Sequence, residues 1–558
     1  MGFEGFDRRA TVPLFEPRLV VRARALGWTS APSAFAMEEG LAAEALTSPP
    51  SLKAVFSDVS CPHQSSATPN STFSFSAAAA SPAASPSNAF VVHPAEVSPA
   101  ADSVSASPPL SEEAISASPP FSEEAKPTLG QMVAMTAKVK SDTAPDEWEE
   151  AVRYFRRLLS IVNNPPIDKV IESGIVPRLV QFLSEHSRPV LQFEAAWSLT
   201  NICSGNAVHT KTVMDAGAVP LFVGLMDSTD DNVREQVIWA LGNIAGDGAT
   251  SRDFVLGFDA IAGLLQLAAK LTDKSPVTTV RNIAWTTSNL CRGKPAPAFS
   301  VVSPSLGLLE RLVYAADEEV VTDACWALSY LSDGPNSNID AVLEIGVAPR
   351  LVQLLGSTST AQSPALRCVG NILTGDEAQT SAIVSIPQAV PLLCGLLNHP
   401  KKNVKKETMW ALSNIAAGSK AQIEALVNAG VFTKISNLLG TPSPDVEITK
   451  EAVWCLSNPT GSGTESQIVH LVESGGLRAL CTQLSSTSCA KISKLALEAI
   501  DNILQRCSLP SAALVVRQSP AADSLARLRA DGGQPIEIRL RVQSIWAKCF
   551  PPDTAAAE

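Results

Sequence analysis

One spacing constrains this chain more than anything else in it. A tryptophan is followed four residues later by an asparagine, and the pair returns at a near-constant interval. Trp197 precedes Asn201, Trp239 precedes Asn243, Trp285 precedes Asn289, Trp410 precedes Asn414 and Trp454 precedes Asn458. Two further copies are altered, Trp326 standing before Tyr330 and Arg367 before Asn371, and a fainter one pairs Glu498 with Asn502. An interval of roughly 40 residues is the mark of stacked helical repeats. Residues at i and i+4 lie one turn apart on one helix face. Each copy therefore sets an indole beside a carboxamide, and stacking aligns the pairs into a ladder. A lone tryptophan on an apolar helix is ordinarily core. Six of the nine tryptophans on one repeat position, mostly with an amide at a fixed offset, point instead to a surface that grips an extended peptide. A core has no need of that amide, because a buried amide is costly without a partner.

A second element recurs with the first. It reads SGIVPRLVQFL at 173–183, AGAVPLFVGLM at 216–226, IGVAPRLVQLL at 345–355, AGVFTKISNLL at 429–439 and SGGLRALCTQL at 474–484, with looser copies at 258–268, 306–316 and 387–397. Glycine followed by proline marks a sharp corner before a broadly apolar helix. Each repeat is thus a short helix, a glycine corner, a second helix, a polar turn, and the helix that carries Trp and Asn. That three-helix unit is the armadillo repeat. No unit can bury its own apolar face, so stability comes from stacking. The expected fold is all-α, a right-handed armadillo-repeat superhelical solenoid spanning 129–510, with a degenerate cap or tail over 511–558. Residues 1–128 are rich in Ala, Ser and Pro and carry the near-repeat SASPPLSEEA and SASPPFSEEA. They offer too little burial to offset ordering entropy and are expected to form a disordered leader.

Composition excludes several classes. The formal net charge is −12, which disfavours nucleic acid as a partner and favours a basic one. Eleven cysteines are scattered without Cys-x-x-Cys or zinc spacing, as reduced core thiols of an intracellular protein would be. No apolar run is long enough for a membrane span. There is no P-loop, no Gly-x-Ser-x-Gly and no His-Glu-x-x-His, so an enzyme, a cofactor and a metal site are not expected. Arginines among apolar residues near the N-terminus suggest a transit peptide, but Glu4, Asp7, Pro13, Glu16 and Pro17 argue against an amphipathic presequence. Lys401, Lys402, Lys405 and Lys406 stand together in PKKNVKKETMW and read as a solvated helix start.

The segments QFEAAWSLTNICSG, QVIWALGNIAGDG, VRNIAWTTSNLCRGKPAP, TDACWALSYLSDGPN, ALRCVGNILTGDE and KETMWALSNIAAG resemble the repeats of importin α (karyopherin α). The altered Tyr330 and Arg367 fall where that family also departs from Trp-x-x-x-Asn. The resemblance implies an adaptor that carries basic nuclear localisation signals of cargo proteins between cytoplasm and nucleus. It implies a major peptide groove at Trp197, Asn201, Ser204, Gly205, Thr210, Gln236, Trp239, Asn243, Asp247, Asn282, Trp285 and Asn289, with Asp247 taking the deciding lysine. It implies a linker region at Asp323, Trp326 and Tyr330. It implies a minor groove at Arg367, Asn371, Thr374, Glu377, Thr380, Glu407, Trp410, Asn414, Glu451, Trp454 and Asn458. Arg367 cannot sandwich a lysine and is expected to pair with an acid or interrupt the groove. Importin β and an export receptor are the implied protein partners. The family's dense basic arm for importin β is not found in 1–128, and the tail is short. The rival reading is an armadillo scaffold that binds basic peptides without coupling to importin β.

Overall fold

The first two helices of a repeat meet at a corner that only certain residues allow. Gly217 at φ 85° and Gly475 at φ 84° start second helices from the left-handed region, where a Cβ is strained. Asp259 takes the same conformation, φ 57°, in one of the repeats that lack the glycine. From each corner a short apolar helix runs back against the long third helix of its own repeat. The computed structural model describes residues 128–551 except 162, 273–274, 441–444 and 488. The described residues are helical and turn, without strand, and form two compact units that meet in sequence at Ser305 and Leu306. The expected disordered leader lies outside the described residues.

The third helices of the first unit are α1 (Trp148–Leu159), α2 (Pro189–Cys203), α3 (Asp231–Gly246) and α4 (Val277–Cys291). Those of the second are α5 (Glu318–Leu331), α6 (Gln362–Ile372), α7 (Lys402–Ala416), α8 (Val446–Ser462), α9 (Ala490–Arg506) and α10 (Ile536–Cys549). Within each unit they pack consecutively, each on the next. Asp230, Asp317 and Asp445 cap the starts of α3, α5 and α8 by accepting backbone N–H bonds. Helix α1 already ends at Leu159, ahead of Pro165-Pro166, and the following helix starts at Ile167.

The first and last described repeats are fixed by polar contacts and by cations over a ring. Trp148 lies outside the ladder: its Nε1 donates to the Ser141 carbonyl at 2.7 Å, and the Arg178 and Arg188 guanidiniums lie over its ring. The residues after 510 form three helices that continue the array. In α10, Ser544 Oγ donates to Asp501 at 2.7 Å and Lys548 Nζ to the Leu504 carbonyl at 2.9 Å, both on α9. The lysine cluster at α7 is not free-standing, because Lys402 pairs with Asp445 and Lys406 with Glu447 of the next repeat. Among the described residues no single helix is long and apolar enough to cross a membrane.

Candidate peptide-binding surface

The ladder forms within each unit, and in the first its indoles are less exposed than a binding surface alone requires. Trp197, Trp239 and Trp285 are only 3–5 % exposed and make one apolar cluster with Phe193 against it. They are core and ladder together, because each helix buries its indole against the preceding one. The contact depends on a small residue three positions after the preceding Trp. A Cβ on Gly242 would come 2.2 Å from Trp285 Cζ3, and one on Gly370 2.5 Å from Trp410 Cζ3. The same position holds Thr200, Ser288, Ser329, Ser413 and Ser457. This recurring small residue is visible in the sequence, but the Trp/Asn spacing alone does not draw attention to it.

The amides also have a structural duty, which corrects the expectation that a core has no use for an amide at that offset. Asn289 Nδ2 donates to the Gly242 carbonyl (3.1 Å), Asn371 to Ser329 (2.8 Å) and Asn458 to Ser413 (2.9 Å). Each acceptor is the residue just before the Asn or Tyr rung of the preceding repeat. Asn201 and Asn502 reach hydroxyls of the preceding repeat instead, Ser160 Oγ at 3.0 Å and Thr460 Oγ1 at 3.2 Å. The ladder asparagine is thus a staple between repeats. An amide has two N–H bonds and two acceptor sites, so one staple leaves capacity for a further partner. Asn414 departs from the pattern: its Nδ2 is buried without a hydrogen-bond partner, as is the indole N–H of Trp410.

Other candidate residues divide by where they point. In the first unit Ser204 is exposed at the end of α2, its hydroxyl on the Asn201 carbonyl (2.7 Å). Beside it, Gly205 has no room for a Cβ, because the His209 ring closes over it to accept the Asn206 N–H. Asp247 caps α3 and lies close enough to Cys203 to push that buried thiol further up, after burial itself. Ser204, Gly205 and Asp247 therefore share one end of the ladder. Thr210 is fully buried with its hydroxyl on the Cys203 carbonyl (3.3 Å), and Thr380 is its counterpart on Leu373 (3.5 Å). These two hold a turn and present no hydroxyl to a ligand. Gln236 is buried, its Nε2 on Thr200 Oγ1 at 2.8 Å and its Oε1 without a partner. Asn282 Nδ2 reaches Glu235 at 3.4 Å.

In the second unit Trp326 and Tyr330 stack, centroids 5.9 Å apart. One turn before Trp326, Asp323 is 7 % exposed, and burial, then Glu319 and Asp317, raise its carboxyl to about 7. Arg367 behaves as the sequence suggests: its Nε donates to Glu407 at 3.0 Å, with Nη2 on the other oxygen, and its guanidinium lies 6.0 Å from the Trp410 ring. Burial raises Glu407 while Arg367 opposes it. Glu451 is raised by burial and accepts from Ser413 Oγ at 3.4 Å. Thr374 bonds the Asn371 carbonyl, and Glu377 is exposed at the start of its helix.

Three-helix repeats with recurring rungs of Trp and Asn within each unit define the chain as an armadillo-repeat protein. The Armadillo/beta-catenin-like repeat family matches residues 163–204, 206–246, 300–333 and 419–458, and a HEAT-like repeat matches 359–415. The chain is 47 % identical over 374 residues to importin subunit alpha-1b of Oryza sativa subsp. japonica, covering 67 % of this chain and 68 % of that protein. It is 50 % identical to importin subunit alpha-4 of Arabidopsis thaliana, covering 66 % of this chain and 68 % of that one. A crystal structure of an engineered protein matches 75 % of the chain and 98 % of its own, with 29 % identity and a TM-score of 0.66. The chain belongs to the importin α family, whose members are nuclear-import adaptors working between cytoplasm and nucleus rather than enzymes.

Proposed function

We propose that this chain binds basic nuclear localisation signals of cargo proteins along its Trp/Asn ladder and carries them into the nucleus with importin β. The observation that carries the reading is the ladder's unspent polarity. The amides of Asn201, Asn289, Asn371 and Asn458 are already fixed by inter-repeat bonds, so they are held in place before a ligand arrives, and each keeps hydrogen-bonding capacity beyond its staple. An extended peptide supplies carbonyls and N–H groups along its length, each such bond contributing ~0.5–1.5 kcal/mol. Lysine stems fit beside indoles, and their charged ends gain ~0.5–2 kcal/mol from aromatic faces. Asp247 in the first unit selects for cations over neutral side chains, and a bound cation would favour the ionised form of Asp323 and Glu451 in the second, which burial opposes. Preordered amides reduce the ordering cost of binding.

The test is fluorescence-polarisation binding of a labelled lysine-rich monopartite signal to wild type and Asp247→Lys, with and without importin β. Tight binding that Asp247→Lys abolishes, and that persists in a ternary complex with importin β, is the expected result. Binding that is lost in the variant but indifferent to importin β favours the uncoupled scaffold. No binding by wild type overturns the peptide reading.

A further inference from the structure

The first rung of the ladder is not an aromatic residue. At the position on α1 where later repeats carry Trp stands Arg156. Its side chain is buried, 8 % exposed, and its guanidinium carbon lies 4.5 Å from the centroid of the Trp197 ring. Its Nε donates to Glu194 Oε2 at 2.7 Å and its Nη2 to Glu194 Oε1 at 3.3 Å. Glu194, itself 4 % exposed, sits one turn before Trp197 on α2 and also accepts from Arg153 Nε at 3.0 Å. A cation over an indole with a carboxylate beside it is the environment that a bound lysine would need.

The arrangement recurs once. In the second unit Arg367 occupies the corresponding rung, pairs with Glu407 one turn before the next Trp, and lies over Trp410. Where the structure supplies such an arginine, the subsite is filled from within. Gln236 and Asn282 hold the position of Glu194 in the next two repeats and are neutral, so no such internal cation is required there.

We propose that Arg156 is a specificity-determining residue. It acts as a built-in stand-in for a ligand cation, fills the Trp197–Glu194 subsite, and so ends the peptide register of the first unit at Trp197. The inference rests on the peptide-binding reading above. A basic residue added to a peptide beyond Trp197 gains nothing in the wild type, because the aromatic face and the acid are already taken. Removing the internal cation opens one more cation subsite, with Arg153 still holding part of the Glu194 charge.

The experiment compares a labelled lysine-rich peptide with versions extended by one lysine at either end, on wild type, Arg156→Gln, Arg156→Lys and Arg156→Gln combined with Glu194→Gln. The readout is the ratio of Kd values for the parent and extended peptides, which a general loss of stability would not change. Arg156→Gln keeps a hydrogen-bonding side chain against Glu194, and thermal melts report whether each variant folds. The expected ratio is near one for wild type and Arg156→Lys, about 5 to 30 in favour of one extended peptide for Arg156→Gln, and near one again for the double variant. A wild-type chain that already prefers an extended peptide, or an Arg156→Gln chain that shows no preference, overturns the proposal. Failure of wild type to bind any of the peptides overturns the peptide reading, and this inference with it.

Discussion

At the residue scale the ladder depends on an atom that is absent. Gly242 has no Cβ, and a methyl there would stand 2.2 Å from Trp285 Cζ3 and 2.6 Å from Thr286 Oγ1. Overpacking of this kind costs ~1–3 kcal/mol. Gly242→Ala is expected to lower the urea midpoint and to weaken basic-peptide binding by displacing Trp285. Unchanged stability would show that the indole can shift freely. Asp323 makes a second residue-level prediction. Its folded-state value of about 7 lies above the ordinary 3.8, so the folded state holds the proton longer than the unfolded one. The fold is therefore penalised as pH rises through that interval, with the full penalty present above pH 7. Asp323→Asn is expected to match wild type near pH 4 and to exceed it at pH 8, by a gain on the order of a few kcal/mol. Parallel pH profiles of thermal stability for the two proteins would count against this account.

At the element scale several helix pairs are closed by one asparagine. Asn371 Nδ2 on α6 serves both the Ser329 carbonyl (2.8 Å) and Ser332 Oγ (3.2 Å) at the end of α5. Truncation leaves a buried carbonyl without its donor, at ~1–3 kcal/mol. In a repeat array the loss falls on the interface between nearest neighbours. Asn371→Ala is therefore expected to speed amide hydrogen exchange in α5 and α6 while α8 and α9 keep their protection. Uniform acceleration across the second unit would mean that it unfolds as one body. The lysines at the start of α7 are read at this scale too: Lys402 and Lys406 bridge to α8 and its cap through Asp445 and Glu447, so they join repeats.

At the scale of the molecule the charge matters more than any single pair. A chain with net charge −12 attracts a basic peptide before contact, and that steering is screened by salt. The association rate for a lysine-rich peptide is expected to fall steeply as ionic strength rises, with the dissociation rate changing less because the buried contacts are screened weakly. Stopped-flow measurement at several salt concentrations decides it, and a salt-independent association rate would exclude steering.

Periodicity made the repeat fold legible in the chain itself. A spacing of four on a helix, repeated at armadillo length, leaves little choice about which faces stack, and the glycine corners at Gly217 and Gly475 follow from backbone sterics alone. The pairing of Arg367 with an acid was legible as well, since an arginine among tryptophans needs a counter-charge. What the sequence did not reveal is what each rung touches. That the asparagines staple repeats, that Thr210 and Thr380 turn inward, and that Arg156 fills the first rung depend on residues some 40 positions apart. Local pattern fixes which face a side chain occupies. Only the packing of one repeat on the next decides which of its hydrogen bonds are already made and which are left for a ligand.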